Sequence, residues 1–260
     1  MILQYKGINI FYTDQGKGSA VVLLHGFLEN TSMWNEITPT LTKKNRIICI
    51  DLLGHGNTEC LGYVHSMELM AEAVAAVLKH LKIRRSTFVG HSMGGYVALA
   101  FAEENPDALK GLCLMNSTAS ADTPEKKENR DRAILAVKQN HKSFIRVAIT
   151  NLFRPKNRKI FSDKIKQIRK EAQETPLQGI VAALEGMKIR NDREALLHFT
   201  PFKKMMIAGK KDPVLNYNLL VEQTENTEVE LITLPDGHMS HIENKDALIL
   251  EIMRFVENLK

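Results

Sequence analysis

The residues best suited to chemistry in this chain are a serine, an aspartate and two histidines, each near the end of an apolar run. Gly90-His91-Ser92-Met93-Gly94 fits the pattern G-x-S-x-G. In that pattern the serine rides a sharp strand-to-helix turn, and the flanking glycines let strand and helix close around it. The N-terminus of the following helix aims backbone N–H groups at developing negative charge. A serine hydroxyl is a weak nucleophile until a histidine takes its proton. That histidine in turn needs a carboxylate to hold its tautomer and stabilise its charged form. Beyond Ser92, the carboxylate that closes an apolar run is Asp212, in Ala208-Gly209-Lys210-Lys211-Asp212-Pro213. Two candidate bases follow, His238 and His241, in Gly237-His238-Met239-Ser240-His241-Ile242-Glu243. Such a set supports acyl transfer through a covalent intermediate on Ser92.

These residues need strands that end together. Residues 2–5 and 8–13 read as a β-hairpin around Lys6-Gly7. Continuous apolar runs at 20–24, 47–50, 87–89, 112–115, 205–208 and 229–234 read as strands buried on both faces. Helical patterns lie between them, at 33–41 after Ser32, at 67–81 after a Ser66 cap, at 96–104 and at 248–259. Strands alternating with helices imply a mostly parallel sheet with helices on both faces, and sites in such sheets form at the carboxyl ends of strands. His25, Asp51, Ser92, Asp212 and His238 all fall there. From about Thr118 to Phe199 the rhythm changes to helices alone, at 132–139, 142–152, 162–174, 177–187 and 192–197. The expected organisation is an α/β core of residues 1–117 and 200–260, with a helical lid of residues 118–199 inserted after the sixth strand.

The chain has 260 residues, a formal charge of +5 and a pI of about 9.0. The positive charge is local. Residues 122–200 hold 18 Lys and Arg against 10 Asp and Glu, whereas the remainder holds 17 against 20. Apolar runs are far shorter than the roughly 20 residues of a membrane span, and the N-terminus lacks the pattern of a secretory signal. Cys49 and Cys113 sit in apolar runs and read as small core residues. Three cysteines cannot all pair, so a cytoplasmic setting is expected.

Taken together these elements resemble the α/β-hydrolase fold family, over nearly the whole chain. The matching residues are His25-Gly26-Phe27, Asp51-Leu52-Leu53-Gly54-His55-Gly56, Gly90-His91-Ser92-Met93-Gly94-Gly95, Gly209-Lys210-Lys211-Asp212, and Gly237-His238 with Glu243. The resemblance implies an eight-stranded, mostly parallel sheet and a Ser92–Asp212–His238 triad. His238 is favoured over His241 because the family's histidine follows a glycine or small residue, with a glutamate five positions later. Some relatives carry the acid after the sixth strand, where this chain has Asn116-Ser117. Backbone N–H groups of Phe27 and Met93 are the implied oxyanion hole. Phe27, Leu28 and Met93 are expected to line the acyl pocket, and Leu28 is the substrate-binding residue singled out. Trp34 reads as ordinary packing.

The implied activity is that of a carboxylesterase (EC 3.1.1 class) acting on a small-molecule ester or thioester, with no cofactor and no metal. A serine nucleophile disfavours dehalogenation and epoxide hydrolysis, which relatives perform with aspartate. Residues 14–19 have the wrong spacing for a phosphate loop and read as a turn, and no His/Cys cluster has zinc spacing. Two other readings share the same residues: a C–C hydrolase or lyase, and a non-catalytic ligand-binding member of the fold. Residues 138–170 hold 11 Lys and Arg and one acid, Asp163. Beside the reading as a solvated face stands recognition of an anionic substrate or an acyl carrier protein, through Arg146, Arg154, Arg158 and Arg169. Nucleic acid is not expected, because Phe144, Phe153 and Phe161 read as lid core.

Overall fold

A computed structural model describes residues 1–259. Among them, eight strands form one sheet in the order β1-β2-β4-β3-β5-β6-β7-β8. They are β1 (Ile2–Tyr5), β2 (Ile8–Gly16), β3 (Ser19–Leu24), β4 (Asn45–Ile50), β5 (Ser86–His91), β6 (Leu109–Met115), β7 (Lys203–Gly209) and β8 (Glu230–Leu234). β1 and β2 run antiparallel at one edge, β2 is antiparallel to β4, and β3 through β8 are parallel. The register sets Leu24 opposite Gly90, His91 opposite Met115, and Met115 opposite Ile207. The carboxyl ends of β3, β5, β6 and β7 therefore lie side by side, and the residues that follow them share one rim.

Alternation along the strands feeds two cores. Val22, Phe88, Leu112 and Met206 face α2 (Met67–His80) and α3 (Met93–Glu104), while Val21, Val89, Cys113 and Ile207 face α11 (Lys245–Glu257). Cys49 and Cys113 are buried free thiols, as their apolar surroundings imply. The Ser66 side chain caps α2 by accepting from the Leu69 N–H.

Three stretches differ from expectation. Residues 33–41 are not one helix: a 3-10 turn, Thr31–Trp34, is capped by Asn30, and a separate short helix α1 (Thr38–Leu41) follows. Pro39 lacks an N–H and restricts the residue before it, which interrupts a continuous helix. The turn expected at 14–19 narrows, because Asp14, Gln15 and Gly16 pair with β4 and the Asp14 carboxylate holds Arg46 at 2.7 Å. The buried helix expected at 96–104 begins at Met93, directly on the nucleophile turn.

Between β6 and β7 the described chain contributes helices only: α4 (Pro124–Gln139), α5 (His141–Leu152), α6 (Ser162–Ala172), α7 (Leu177–Lys188) and α8 (Ala195–Phe199). α4 begins earlier than periodicity suggests, because Thr123 caps it and Pro124 occupies its first turn. Phe153 is fully buried and its ring lies 6.4 Å from that of Phe161. After β7 come α9 (Tyr217–Thr224) and α10 (Ser240–Glu243). No helix among the described residues is long and apolar enough to cross a membrane.

Candidate active site

Ser92 joins β5 to α3 with φ 50° and ψ −114°, a left-handed conformation that L-residues avoid. The turn is possible because its neighbours lack side chains. A Cβ on Gly90 would meet the Gly94 carbonyl, and a Cβ on Gly94 would strike the carbonyl oxygens of Leu24 and His25. The Ser117 hydroxyl donates to the Ser92 carbonyl at 2.8 Å, and the Ser92 N–H donates to Met115 at 3.0 Å.

The Ser92 Oγ stands 2.9 Å from His238 Nε2, and His238 Nδ1 stands 2.7 Å from Asp212 Oδ2. The remaining oxygen, Asp212 Oδ1, accepts the backbone N–H groups of Val214 at 2.8 Å and Leu215 at 3.0 Å. Burial opposes charge on Asp212. The field and hydrogen bond of His238 and the two backbone donors outweigh it, and the carboxyl lies below the ordinary aspartate range. The backbone of His238 is pinned on both sides: its N–H donates to Leu152 of α5 at 3.1 Å, and its carbonyl accepts from His91 Nε2 at 3.0 Å. Glu243 ties the same loop to the helical segment, accepting from the Arg154 N–H at 3.0 Å and from Asn157 Nδ2 at 2.9 Å.

Phe27 and Leu28 follow β3. Leu28 has φ 64°, and the turn is closed by the Glu29 N–H on the Gly26 carbonyl and by the Gly26 N–H on the Glu29 carboxylate at 2.9 Å. Both side chains border a cleft of about 100 Å³ over Ser92, together with Tyr96, Leu152, Met187 and His238. The Met93 side chain is fully buried and does not line this cleft; as the first residue of α3 it points into the core beneath the sheet rim. Trp34 is packed in the opposite core.

Four features escape sequence reasoning. Asn116, with φ 44°, places its Nδ2 3.1 Å from both Asp212 Oδ2 and the Gly237 carbonyl. Its polar type at a strand end was the available signal, since it stands where some relatives carry their acid. Arg130 of α4 borders the cleft and shares the buried Asp122 carboxylate with Arg190, at 2.6 Å each. Two guanidinium groups thus face one carboxylate, and Arg190 also lies over the Tyr96 ring. His91 has oxygen atoms against both ring nitrogens, Glu29 Oε2 at 2.7 Å and the His238 carbonyl, an arrangement that favours the imidazolium form. Burial opposes that charge and Glu29 more than restores it, raising the His91 pKa. Finally, His241 is buried beside this pair, 3.5 Å from Glu29 Oε1. Nothing in their spacing along the chain could have joined these three.

The four arginines expected to read an anion are divided. Arg154 is paired with Asp236 at 2.8 Å, and Arg158 donates to the Phe153 carbonyl. Arg146 and Arg169 border an outer groove with Lys142, Lys166 and Lys170, away from the cleft over Ser92.

A family model described as alpha/beta hydrolase fold matches residues 19–245. The chain belongs to the α/β-hydrolase fold family. Its fold is similar to that of a thermophilic esterase from Thermogutta terrifontis solved with malate bound, at TM-score 0.92 and 29% identity over 99% of this chain and 97% of that one. In sequence it is similar to the dihydrolipoyllysine-residue acetyltransferase component of an acetoin cleaving system from Pseudomonas putida, 28% identical over 92% of this chain and 64% of that protein. A pimeloyl-[acyl-carrier protein] methyl ester esterase from Aeromonas hydrophila is 36% identical over 40% of this chain and 39% of its own length. The chain therefore matches less than two thirds of the length of these two relatives.

Proposed function

We propose that this α/β-hydrolase cleaves carboxylic esters through an acyl-enzyme on Ser92. One observation carries the reading: a strained serine, an imidazole and a carboxylate in an unbroken chain of contacts of 2.9 and 2.7 Å. His238 Nε2 takes the Ser92 proton as Oγ attacks the ester carbonyl. Asp212 holds the other ring nitrogen and stabilises the imidazolium that forms. The tetrahedral oxyanion is met by the backbone N–H groups of Met93 and Phe27. His238 then gives its proton to the departing alkoxide, leaving the acyl group on Ser92. In the second half His238 deprotonates a water, which attacks the acyl carbonyl, and returns that proton to Ser92 Oγ as the acid departs.

The helical segment 118–199 serves as a lid, and the small, largely apolar cleft beneath it suits a short acyl chain with Leu28 on its wall. Arg130 favours a substrate that also carries an anionic group, because Asp122 neutralises only one of the two guanidinium groups it holds. The outer basic groove favours docking of an acidic carrier less directly, as it lies away from the cleft over Ser92.

The test is labelling with a fluorophosphonate probe, together with turnover of p-nitrophenyl esters, an anionic hemiester, a thioester and a carrier-linked methyl ester. Wild type should label and turn over esters, and Ser92→Ala should do neither. Arg130→Gln should impair the anionic ester more than the neutral one. An unlabelled wild type with no turnover would leave the non-catalytic reading in place. Turnover confined to a C–C substrate would move the assignment to that chemistry.

A further inference from the structure

Glu29, His91 and His241 reach one point from three parts of the chain: the turn after β3, the end of β5, and α10. All three are buried, and one ligand atom from each lies within 4.8 Å of the others. We infer that these side chains form a binding site for a divalent transition-metal ion of the zinc class, beside the triad and distinct from it. It rests on the buried cluster and is independent of the ester chemistry proposed above.

The donor set fits. Two imidazole nitrogens and a carboxylate are ligands that zinc takes at about 2.0–2.2 Å, which sets neighbouring tetrahedral ligands about 3.4 Å apart. Glu29 Oε1 and His241 Nε2 already stand at 3.5 Å. The other carboxylate oxygen, Glu29 Oε2, stands 2.7 Å from His91 Nδ1, a hydrogen-bonding distance, so one ion shared by both imidazoles takes the carboxylate through both oxygens. The ion takes the place of the proton shared by that pair, which leaves to solvent, and the pair opens by less than about 1 Å to the tetrahedral spacing.

The outer shell is also in place. A metal-bound histidine characteristically donates its far N–H to a carbonyl or carboxylate, which fixes its tautomer and orientation. His91 does so through Nε2, to the His238 carbonyl at 3.0 Å. The ligating carboxylate is held as well, by the Gly26 N–H at 2.9 Å. A second observation points to a ligand: Glu29 Oε1, the oxygen facing His241 Nε2, is buried without a hydrogen-bond partner among the described residues. A carboxylate oxygen left short of partners in a dry site is costly, and a cation satisfies it. A cavity of about 150 Å³ borders both Glu29 and His241, giving an entry path and room for a further ligand. Glu171 lines that cavity too, whereas Glu36 there is already paired with Lys164 and Lys245.

The site adjoins the triad: Glu29 and His91 also border the cleft over Ser92, and His91 donates to the His238 carbonyl, so loading it is expected to change how fast Ser92 reacts. Binding itself is read without turnover. Chelator-treated protein titrated with zinc chloride against a chromogenic zinc indicator should take up one equivalent. Glu29→Gln and His241→Gln should each weaken uptake by at least about 100-fold, as much as the loss of an outer partner can cost and more. His198→Gln, an exposed histidine outside the cluster, should leave it unchanged. No stoichiometric uptake by wild type overturns the site, as does uptake that survives both cluster substitutions. Should either variant fail to fold, X-ray absorption of zinc-loaded wild type decides: two imidazoles with oxygen donors uphold the site, and a sulfur or a single imidazole overturns it.

Discussion

Asp212→Asn is the substitution whose outcome the geometry constrains most tightly. Each carboxylate oxygen of Asp212 faces two donors: Oδ1 accepts from Val214 and Leu215, and Oδ2 from His238 Nδ1 and Asn116. An amide has one acceptor end and one donor end, so it must disappoint one pair. With its NH₂ toward the backbone, two fixed buried N–H groups lose their acceptor, at about 1–3 kcal/mol each. With its NH₂ toward His238, Asn116 keeps its second acceptor, the Gly237 carbonyl, and only the histidine must adapt. The second orientation is favoured by roughly one orphaned donor, about 1–3 kcal/mol. His238 then accepts at Nδ1 and carries its proton on Nε2, the atom 2.9 Å from Ser92 Oγ, where it can no longer take the serine proton. The expected result is a fall in kcat of about 10⁴, the order seen when a serine triad is forced into the wrong tautomer. KM should change little, because no contact to bound ester is removed. Kinetics on p-nitrophenyl acetate and the rate of fluorophosphonate labelling measure the loss, and thermal melting checks the fold. A folded variant whose kcat stays within tenfold of wild type would refute the reasoning.

Gly94→Ala should cost about 3 kcal/mol or more, because its new Cβ meets the fixed carbonyls of Leu24 and His25 and not a yielding side chain; urea unfolding that shows less than about 1 kcal/mol would contradict the close packing. Phe153→Ala should destabilise the fold by about 3–5 kcal/mol, since the ring is wholly buried where the helical segment meets the His238 loop. Glu36 links Lys164 of α6 to Lys245 of α11, at 2.7 Å each, and these hydrogen bonds hold its pKa down to about 2 from 4.5. A lowered folded pKa stabilises fully above the unfolded value, and that stabilisation is lost as pH falls through the folded one. The stability difference between wild type and Glu36→Gln should therefore be constant above about pH 5 and vanish towards about pH 2; with the groups exposed and screened, it should not exceed about 1 kcal/mol.

Most strands were legible because burial on both faces writes an apolar run such as 20–24 or 47–50 that few other structures explain. The elbow was legible because glycine is needed on both sides of a left-handed serine. Pro39, which splits the expected helix at 33–41, shows where periodicity misleads: one residue without an N–H outweighs a favourable apolar pattern. The arginines of the basic segment show the limit for function. Composition located the charge, but it could not tell Arg154, consumed by Asp236, from Arg130, which reaches the cleft. Side-chain direction at that level depends on how α4, α5 and α7 pack, and no local rule specifies that packing.

The sequence by itself determined the parallel sheet, the helical insertion and the three residues set at strand ends, because each depends on neighbours within a few positions. Tertiary structure decided what surrounds them. Asn116 became the support of Asp212, and Glu29, His91 and His241, widely separated in the chain, came within 4.8 Å of one another. The register of β3, β5, β6 and β7 is the physical reason: it aligns the ends of strands far apart in sequence on one rim.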